Sequence, residues 1–155
     1  MPRPDASLRS FVGYDMKRAF SVIQYDVNAV LMAFGLRMVT FSALVVIRDN
    51  PGLRQTRLAQ ILMIERPNLV LILDDLERAD LVLRERCAED RRAYELSVTE
   101  QGAQVCERAV RAVARHDARM TEGLSEAQCQ ALHRALQLIE RKGRTGDDTG
   151  SVSRA

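Results

Sequence analysis

Apolar residues recur at intervals of three and four along most of this chain and switch to simple alternation in one stretch near the middle. Between Ser7 and Phe34 the positions Leu8, Phe11, Val12, Ala19, Phe20, Ile23, Val27, Val30 and Leu31 follow the helical period with few breakers, which predicts one long amphipathic helix. Gly35 ends it, and Thr40 suits the N-cap of a second helix. Phe41 to Ile47 is a compact apolar run closed by Asp49, Asn50, Pro51 and Gly52, and it reads as buried. A short helix from Arg54 to Leu62 carries Leu58, Ala59 and Leu62 on one side. After a turn at Met63 and Ile64 another runs from Arg66 to Ala79, with Pro67 in its first turn, where a missing N–H costs nothing. Leu69, Ile72, Leu73 and Leu76 give that helix one apolar face to pack on its predecessor.

The alternation comes next. Leu81, Leu83 and Glu85 interleave with Val82, Arg84 and Arg86; after the polar stretch Cys87 to Arg92, the run Ala93 to Val98 alternates again, which predicts a two-stranded hairpin with a long charged loop. Thr99 supplies the N-cap of a helix with Cys106, Ala109, Val110, Val113, Ala114 and Met120 on one stripe. Ser125 to Gln128 has the form of a capping box, followed by Cys129, Leu132, Leu136 and Ile139 in a last amphipathic helix. The predicted fold is mainly α with a small β-wing. Residues 40–102 form a winged helix-turn-helix, residues 7–34 and 103–142 form N- and C-terminal dimerisation helices, and residues 143–155, poor in apolar side chains, form a disordered tail.

Composition narrows the class. With 155 residues, 46% of them hydrophobic and 28% charged, the chain fits one compact domain, or one core with an extension. The cysteines Cys87, Cys106 and Cys129 are odd in number and widely spaced, which argues against a disulfide framework and for a reducing compartment. The start MPRPDASLRS lacks a secretory pattern, and no apolar run reaches the roughly 18 residues needed to cross a bilayer, so a cytoplasmic protein without membrane contact is expected. Neither the cysteines nor His116 and His133 show paired ligand spacing, so no metal and no cofactor are expected. There is no nucleophile elbow, phosphate-cradling glycine loop or histidine pair with a carboxylate, which argues against an enzyme with catalytic residues. A net charge of +2 decides nothing about nucleic acid, because binding depends on where the arginines sit.

They sit suggestively. A helix whose N-terminal residues project from a helix-turn-helix has the width to enter the major groove of double-stranded DNA, about 12 Å across. Arg66, Asn68 and Leu71 would face it, with Pro67 at the helix start and Arg54, Gln55 and Thr56 on the preceding helix as further contacts. In the loop AEDRRAYELSVTEQG, Arg92 would enter the minor groove, Arg91 would neutralise phosphates, and Asp90 would hold an arginine extended by a charge-assisted hydrogen bond. Each feature has a plainer reading, since charges solvate any hairpin tip and polar residues suit any helix start. Their joint occurrence at the spacing a winged reader needs favours DNA.

ERPNLVLILDDLERADLVLRERCAEDRRAYELSVTEQG resembles the DNA-binding core of the MarR/SlyA family of bacterial transcription regulators: a proline-led recognition helix, a leucine-glutamate helix end, a D-x-R wing tip and a threonine-led return helix. The resemblance extends in element order from about Leu8 to Lys142 and is most specific between Leu58 and Gly102. It implies a homodimeric, ligand-responsive regulator gripping a pseudo-palindromic operator, with repression the commoner family mode, and maps the D-x-R motif onto Asp90 and Arg92. Three positions depart from the family pattern. Leu71 stands where the SlyA branch commonly carries a base-reading arginine, which puts a guanine contact there in question and opens the way to apolar contact with a thymine methyl. Asp80 replaces the usual glycine after the recognition helix, and Arg54 replaces a threonine cap.

The apolar stripes at the two ends of the chain would stay partly wet in a lone copy, and pairing about a two-fold axis would cover them and set two recognition helices about one DNA turn apart. The plainer alternative is that they close an intrachain helical core. A second stripe on the first helix, Tyr14, Arg18, Ser21 and Tyr25, mixes aromatic rings with one cation and suits a small aromatic acid, Arg18 pairing with its carboxylate; it also suits an interface or a solvated face. The resemblance implies a pocket that would add Phe41, for ligands including phenolic acids and aromatic acyl-CoA thioesters. A rival to the DNA reading is a winged-helix module that binds protein partners and no DNA, which Leu71 and the near-balanced charge of the middle segment favour.

Overall fold

The computed structural model describes residues 3–90 and 92–147. It comprises two compact units, Met1–Asp117 and Ala118–Ala155. Among the described residues no single helix is long and apolar enough to cross a membrane.

In the first unit, the run read as one long helix is interrupted. A 3₁₀ turn at Leu8–Ser10 gives way at Phe11, whose backbone is extended (φ −101°, ψ 120°), before α1 runs over Val12–Leu31 and a second 3₁₀ turn over Met32–Phe34. The segment before the break is tied back onto α1: Asp5 Oδ2 accepts a hydrogen bond from the Tyr14 hydroxyl at 2.9 Å and lies 3.1 Å from Arg9 Nε. Gly35 closes the turn with φ 67°, a left-handed conformation that suits glycine.

Helix α2 is Met38–Asp49, and Thr40 is not its N-cap. Arg37 takes that place, and Thr40, in the third helical position, turns its hydroxyl back to accept the Arg37 N–H at 2.9 Å. Helix α3 is Gln55–Leu62 and α4 is Arg66–Arg78, joined by a turn in which Met63 is left-handed (φ 51°) and the Ile64 N–H reaches the Ala59 carbonyl at 3.0 Å. Leu58, Leu69, Leu73 and Leu76 bury the shared face of this pair against Leu44 and Ile47 of α2.

The sheet has one strand more than the hairpin. Strands β2 (Val82–Arg86) and β3 (Tyr94–Val98) pair antiparallel, and the two-residue β1, Leu53–Arg54, adds to the far side of β3 to give the order β1-β3-β2. The register sets Val82 opposite Val98, Arg84 opposite Leu96 and Arg86 opposite Tyr94. Cross-strand partners share a face, so Arg84 and Arg86 lie on the face of the buried Val82 and Leu96, Arg84 half-buried and Arg86 exposed at its edge.

Helix α4 ends in a Schellman motif. Asp80 takes the left-handed position (φ 56°), with its N–H on Glu77 O and the Leu81 N–H on Leu76 O, each at 2.9 Å. Thr99 then starts α5 (Glu100–Met120), its hydroxyl oxygen accepting the Gly102 N–H at 2.8 Å. A Cβ on Gly102 would meet the Leu81 carbonyl oxygen at 1.9 Å, so only glycine permits this approach of α5 to the base of β2. The buried stripe of α5 is Gly102, Cys106, Ala109, Ala112 and His116; Ala114, expected on it, is exposed. His116, 2% exposed, brings Nε2 to 3.1 Å from Asp26 Oδ2 on α1.

In the second unit, Ser125 and Gln128 exchange the hydrogen bonds of a capping box at 2.8 and 3.2 Å and open α6, Glu126–Asp147. The helix therefore continues past Lys142 into the stretch read as a tail, whose last residues, 148–155, lie outside the described residues. Leu132, Leu136 and Ile139 follow the helical period and stay exposed.

Candidate nucleic-acid interface

Sheet pairing and the wing's contact with α4 bring three arginines together. Arg54 precedes α3, Arg66 begins α4, and Arg92 sits where the wing loop returns to β3. All three border one concave notch of about 340 Å³, with Gln55, Thr56, Leu69, Val70, Arg84, Ala93 and Tyr94 completing its lining. Among the described residues no ion pair engages Arg54, Arg66 or Arg92. Three exposed guanidiniums around one concavity create a positive potential that an anionic backbone can occupy. Gln55 adds an acceptor, since its Oε1 is buried with no hydrogen-bond partner among the described residues.

Arg84, at the floor of the notch, behaves differently. Its Nη2 lies 2.7 Å from Asp74 Oδ1 and 2.6 Å from Glu77 Oε2, both on α4, and its guanidinium is 5.7 Å from the centre of the Tyr94 ring. Burial disfavours its charge, but the two carboxylates more than offset this, so its pKa lies above the ordinary arginine value. Arg84 thereby joins the wing to α4. The Arg86 guanidinium also lies 5.9 Å from the centre of that ring.

At the wing tip Asp90 bonds to the backbone. Its Oδ1 accepts the backbone N–H of Arg92 at 3.0 Å, and its carbonyl accepts the Ala93 N–H at 2.9 Å, so Asp90 shapes the turn and does not hold a guanidinium among the described residues. Arg91 lies outside the described residues.

The other expected contacts divide between two sides of α4. Pro67 is exposed at the helix start. Asn68 and Leu71 face away from the notch and line a second groove of about 690 Å³ beside the start of α2, together with Arg37, Thr40, Ile72 and Asp75. Val70, Arg84, Ala93 and Tyr94 are notch residues that sequence reasoning missed. The register of the hairpin, once known, reveals Arg84 and Tyr94, and Val70 follows from Arg66 by one helical turn.

The five residues read as an effector surface are not gathered in either cavity. Tyr25 is 83% exposed, Arg18 is exposed, Ser21 donates its hydroxyl to the Lys17 carbonyl of its own helix, and Phe41 packs against the core. Tyr14 is engaged by Asp5. Its hydroxyl holds the Asp5 carboxyl below the ordinary carboxylate value, against the effect of burial, with Arg9 and Arg18 adding attraction. Cys87 and Cys106 are buried, Cys129 is half-buried, and all three are free. Burial pushes the Cys106 thiol up, which suits a packing residue.

A helix-turn-helix with a proline-led second helix, a three-stranded wing and an arginine-rimmed notch between them defines a DNA-binding winged-helix protein. The comparisons with known proteins agree. A model described as the MarR family matches residues 36–94. The structure of a transcriptional repressor, CouR, bound to a 23-mer DNA duplex, is similar with a TM-score of 0.85 and 35% identity over 90% of this chain and 99% of that one. CouR bound to p-coumaroyl-CoA gives a TM-score of 0.80 and 36% identity over 86% and 94%. A proposed transcriptional regulatory protein for the hcr operon of Thauera aromatica is 28% identical over 137 residues, 88% of this chain and 82% of that one. This chain belongs to the MarR family and is a DNA-binding transcriptional regulator.

Proposed function

We propose that two copies of this chain bind a pseudo-palindromic operator as a repressor, and that a small aromatic acid or its acyl-CoA thioester releases them. The observation that carries the DNA-contact assignment is the convergence of Arg54, Arg66 and Arg92 on one notch, with Gln55 and Thr56 in its wall. In this reading Pro67, Asn68 and Leu71 meet the major groove, Arg92 reaches the minor groove, Arg91 neutralises phosphates, and Asp90 keeps the tip in shape. Structures of the similar repressor CouR bound to a DNA duplex and to p-coumaroyl-CoA support the two partners.

For the effector we assign the α1 surface of Tyr14, Arg18, Ser21 and Tyr25, with Phe41 from α2. Its support is chemical: Tyr14 already donates to a carboxylate, that of Asp5, with Arg9 beside it and Arg18 acting on it. An aromatic acid would take the place of Asp5 there, favouring one dimer arrangement over another.

The test is a salt titration of duplex binding followed by release. Affinity should fall steeply as salt rises, and Arg92→Ala should bind more weakly with a log–log slope shallower by about one per copy. Added p-coumaroyl-CoA or p-coumaric acid should then release the parent chain but not Arg18→Ala, which keeps its DNA affinity. Equal binding by Arg92→Ala would overturn the wing assignment, and equal release from Arg18→Ala would overturn the effector surface.

A further inference from the structure

Helix α4 turns about 100° per residue, so its buried stripe of Leu69, Leu73 and Leu76 defines an opposite, outward ridge. In the N-terminal half of α4 that ridge is Pro67 and Leu71, and Leu71 is 65% exposed. Val70, 37% exposed, lies on the flank facing the notch, and Asn68 on the flank facing the second groove. The outermost side chains of the helix that meets DNA are therefore apolar, although arginines surround them.

The arginines bind phosphates on any sequence, and phosphate contacts carry no direct sequence information. Leu71 has the reverse property: it cannot hydrogen-bond a base edge, so it gains nothing from guanine, adenine or cytosine. Thymine alone among the four bases presents a methyl group in the major groove. Leu71 also borders the second groove, where Arg37, Thr40, Asn68 and Asp75 interrupt the apolar Val39, Ile64 and Ile72, while Arg66 lies on the notch side, so polar groups break up the apolar surface on both flanks.

We infer that Leu71, with Val70 beside it, reads the C5 methyl of thymine, so that each operator half-site carries thymine where the outward ridge of α4 meets the major groove. This deepens the DNA-reading assignment above and rests on it. A methyl covered by an aliphatic side chain is worth about fourfold in affinity.

The full chain is first used to select bound duplexes from a random-sequence pool. The selected operator is then remade with each thymine in turn replaced by deoxyuridine, which removes one methyl and leaves the pairing intact. Binding should weaken about fourfold at one or two positions per half-site. Leu71→Ala, an exposed truncation checked by its melting temperature, should bind the thymine and deoxyuridine duplexes equally at those positions while keeping the parent's salt dependence. If no deoxyuridine weakens binding, or if Leu71→Ala retains the whole penalty, methyl reading is overturned, while salt-sensitive binding of the selected duplex still upholds the DNA-reading role. A pool that yields no bound duplex overturns both.

Discussion

The winged motif and helix α6 treat their leucines in opposite ways. In the motif, Leu44, Ile47, Leu58, Leu69, Leu73, Leu76 and Leu96 are at most 1% exposed, closed off by elements of the same chain. On α6, Leu132, Leu136, Leu138 and Ile139 are 37% to 49% exposed. Helix α1 shares some of this character, with Phe20 and Val22 at 48% and 58%. The two kinds of region obey the same burial energetics, so the difference lies in what completes them. The motif is finished by its own fold, whereas the apolar side chains of α6 stay exposed, as the proposed pairing of two copies requires.

The largest effect should come from disturbing the closest packing at the edge of the finished region. Gly102→Ala would place a methyl 1.9 Å from the Leu81 carbonyl oxygen, a backbone atom that cannot swing aside. Either α5 or the base of β2 must move, so a loss of roughly 3 kcal/mol or more is expected in urea unfolding. A variant as stable as the parent would refute this close approach.

Next in size is the link between wing and α4. Arg84→Met leaves Asp74 and Glu77 without their shared counter-charge; because both carboxylates are 39% and 32% exposed, the expected loss of stability is only about 1 to 2 kcal/mol. DNA affinity should fall further than that, since the angle between the wing and α4 is no longer fixed. Arg84→Lys should restore little, because a point-like ammonium cannot fork to two carboxylates. Additive losses in Arg84→Met and Arg92→Ala would show that Arg84 does not act through the wing.

These two positions also show what could be read from the sequence. Helix α4 and its Pro67, the hairpin, Thr99 and the capping box of α6 are local devices written in consecutive residues, and all were legible. Arg54, Arg66 and Arg92 could each be placed on its element from the sequence, but their meeting around one notch depends on the pairing of β1 with β3. The inward face of the hairpin was not legible, since both of its interleaved sets, Leu81 with Leu83 and Val82 with Arg84, contain apolar residues. Strand β1 is two residues long and exists only through its pairing with β3, so no period announces it. Neither glycine nor proline stands at Phe11 to announce the break, and the Asp5–Tyr14 hydrogen bond that accompanies it joins residues that periodicity does not connect. Thr40 was seen as a capping residue, but whether a threonine caps from the first position or back from the third depends on where the chain enters the helix.

The unfinished region can be broken separately. Leu132→Glu with Leu136→Glu alters only exposed side chains of α6, so the winged motif should keep its fold. Light scattering should show the mass falling from two chains to one, and operator affinity should drop by at least about tenfold as the two reading heads become independent. If this variant remains paired and binds DNA like the parent, the exposed leucines of α6 have another use and the comparison with the motif loses its meaning.

The smallest expected effect is a gain, and it comes from the motif itself. Asp80 carries a positive φ of 56°, where a side chain crowds its own backbone, in a turn whose hydrogen bonds use only main-chain groups of that residue. Its carbonyl also accepts the Thr99 hydroxyl at 2.7 Å, again a main-chain contact. Asp80→Gly therefore keeps each of these bonds and removes the crowding, worth about 1 to 2 kcal/mol, against a glycine entropy cost of about 0.5 to 1 kcal/mol in the unfolded chain. The net should be about 0.5 to 1 kcal/mol in favour of the variant, a rise of roughly 2 °C in Tm, with operator affinity unchanged. A variant that gains stability but loses DNA affinity would mean that the Asp80 carboxylate serves the reading surface, and the family's usual glycine would then mark a real difference in how this member holds its wing.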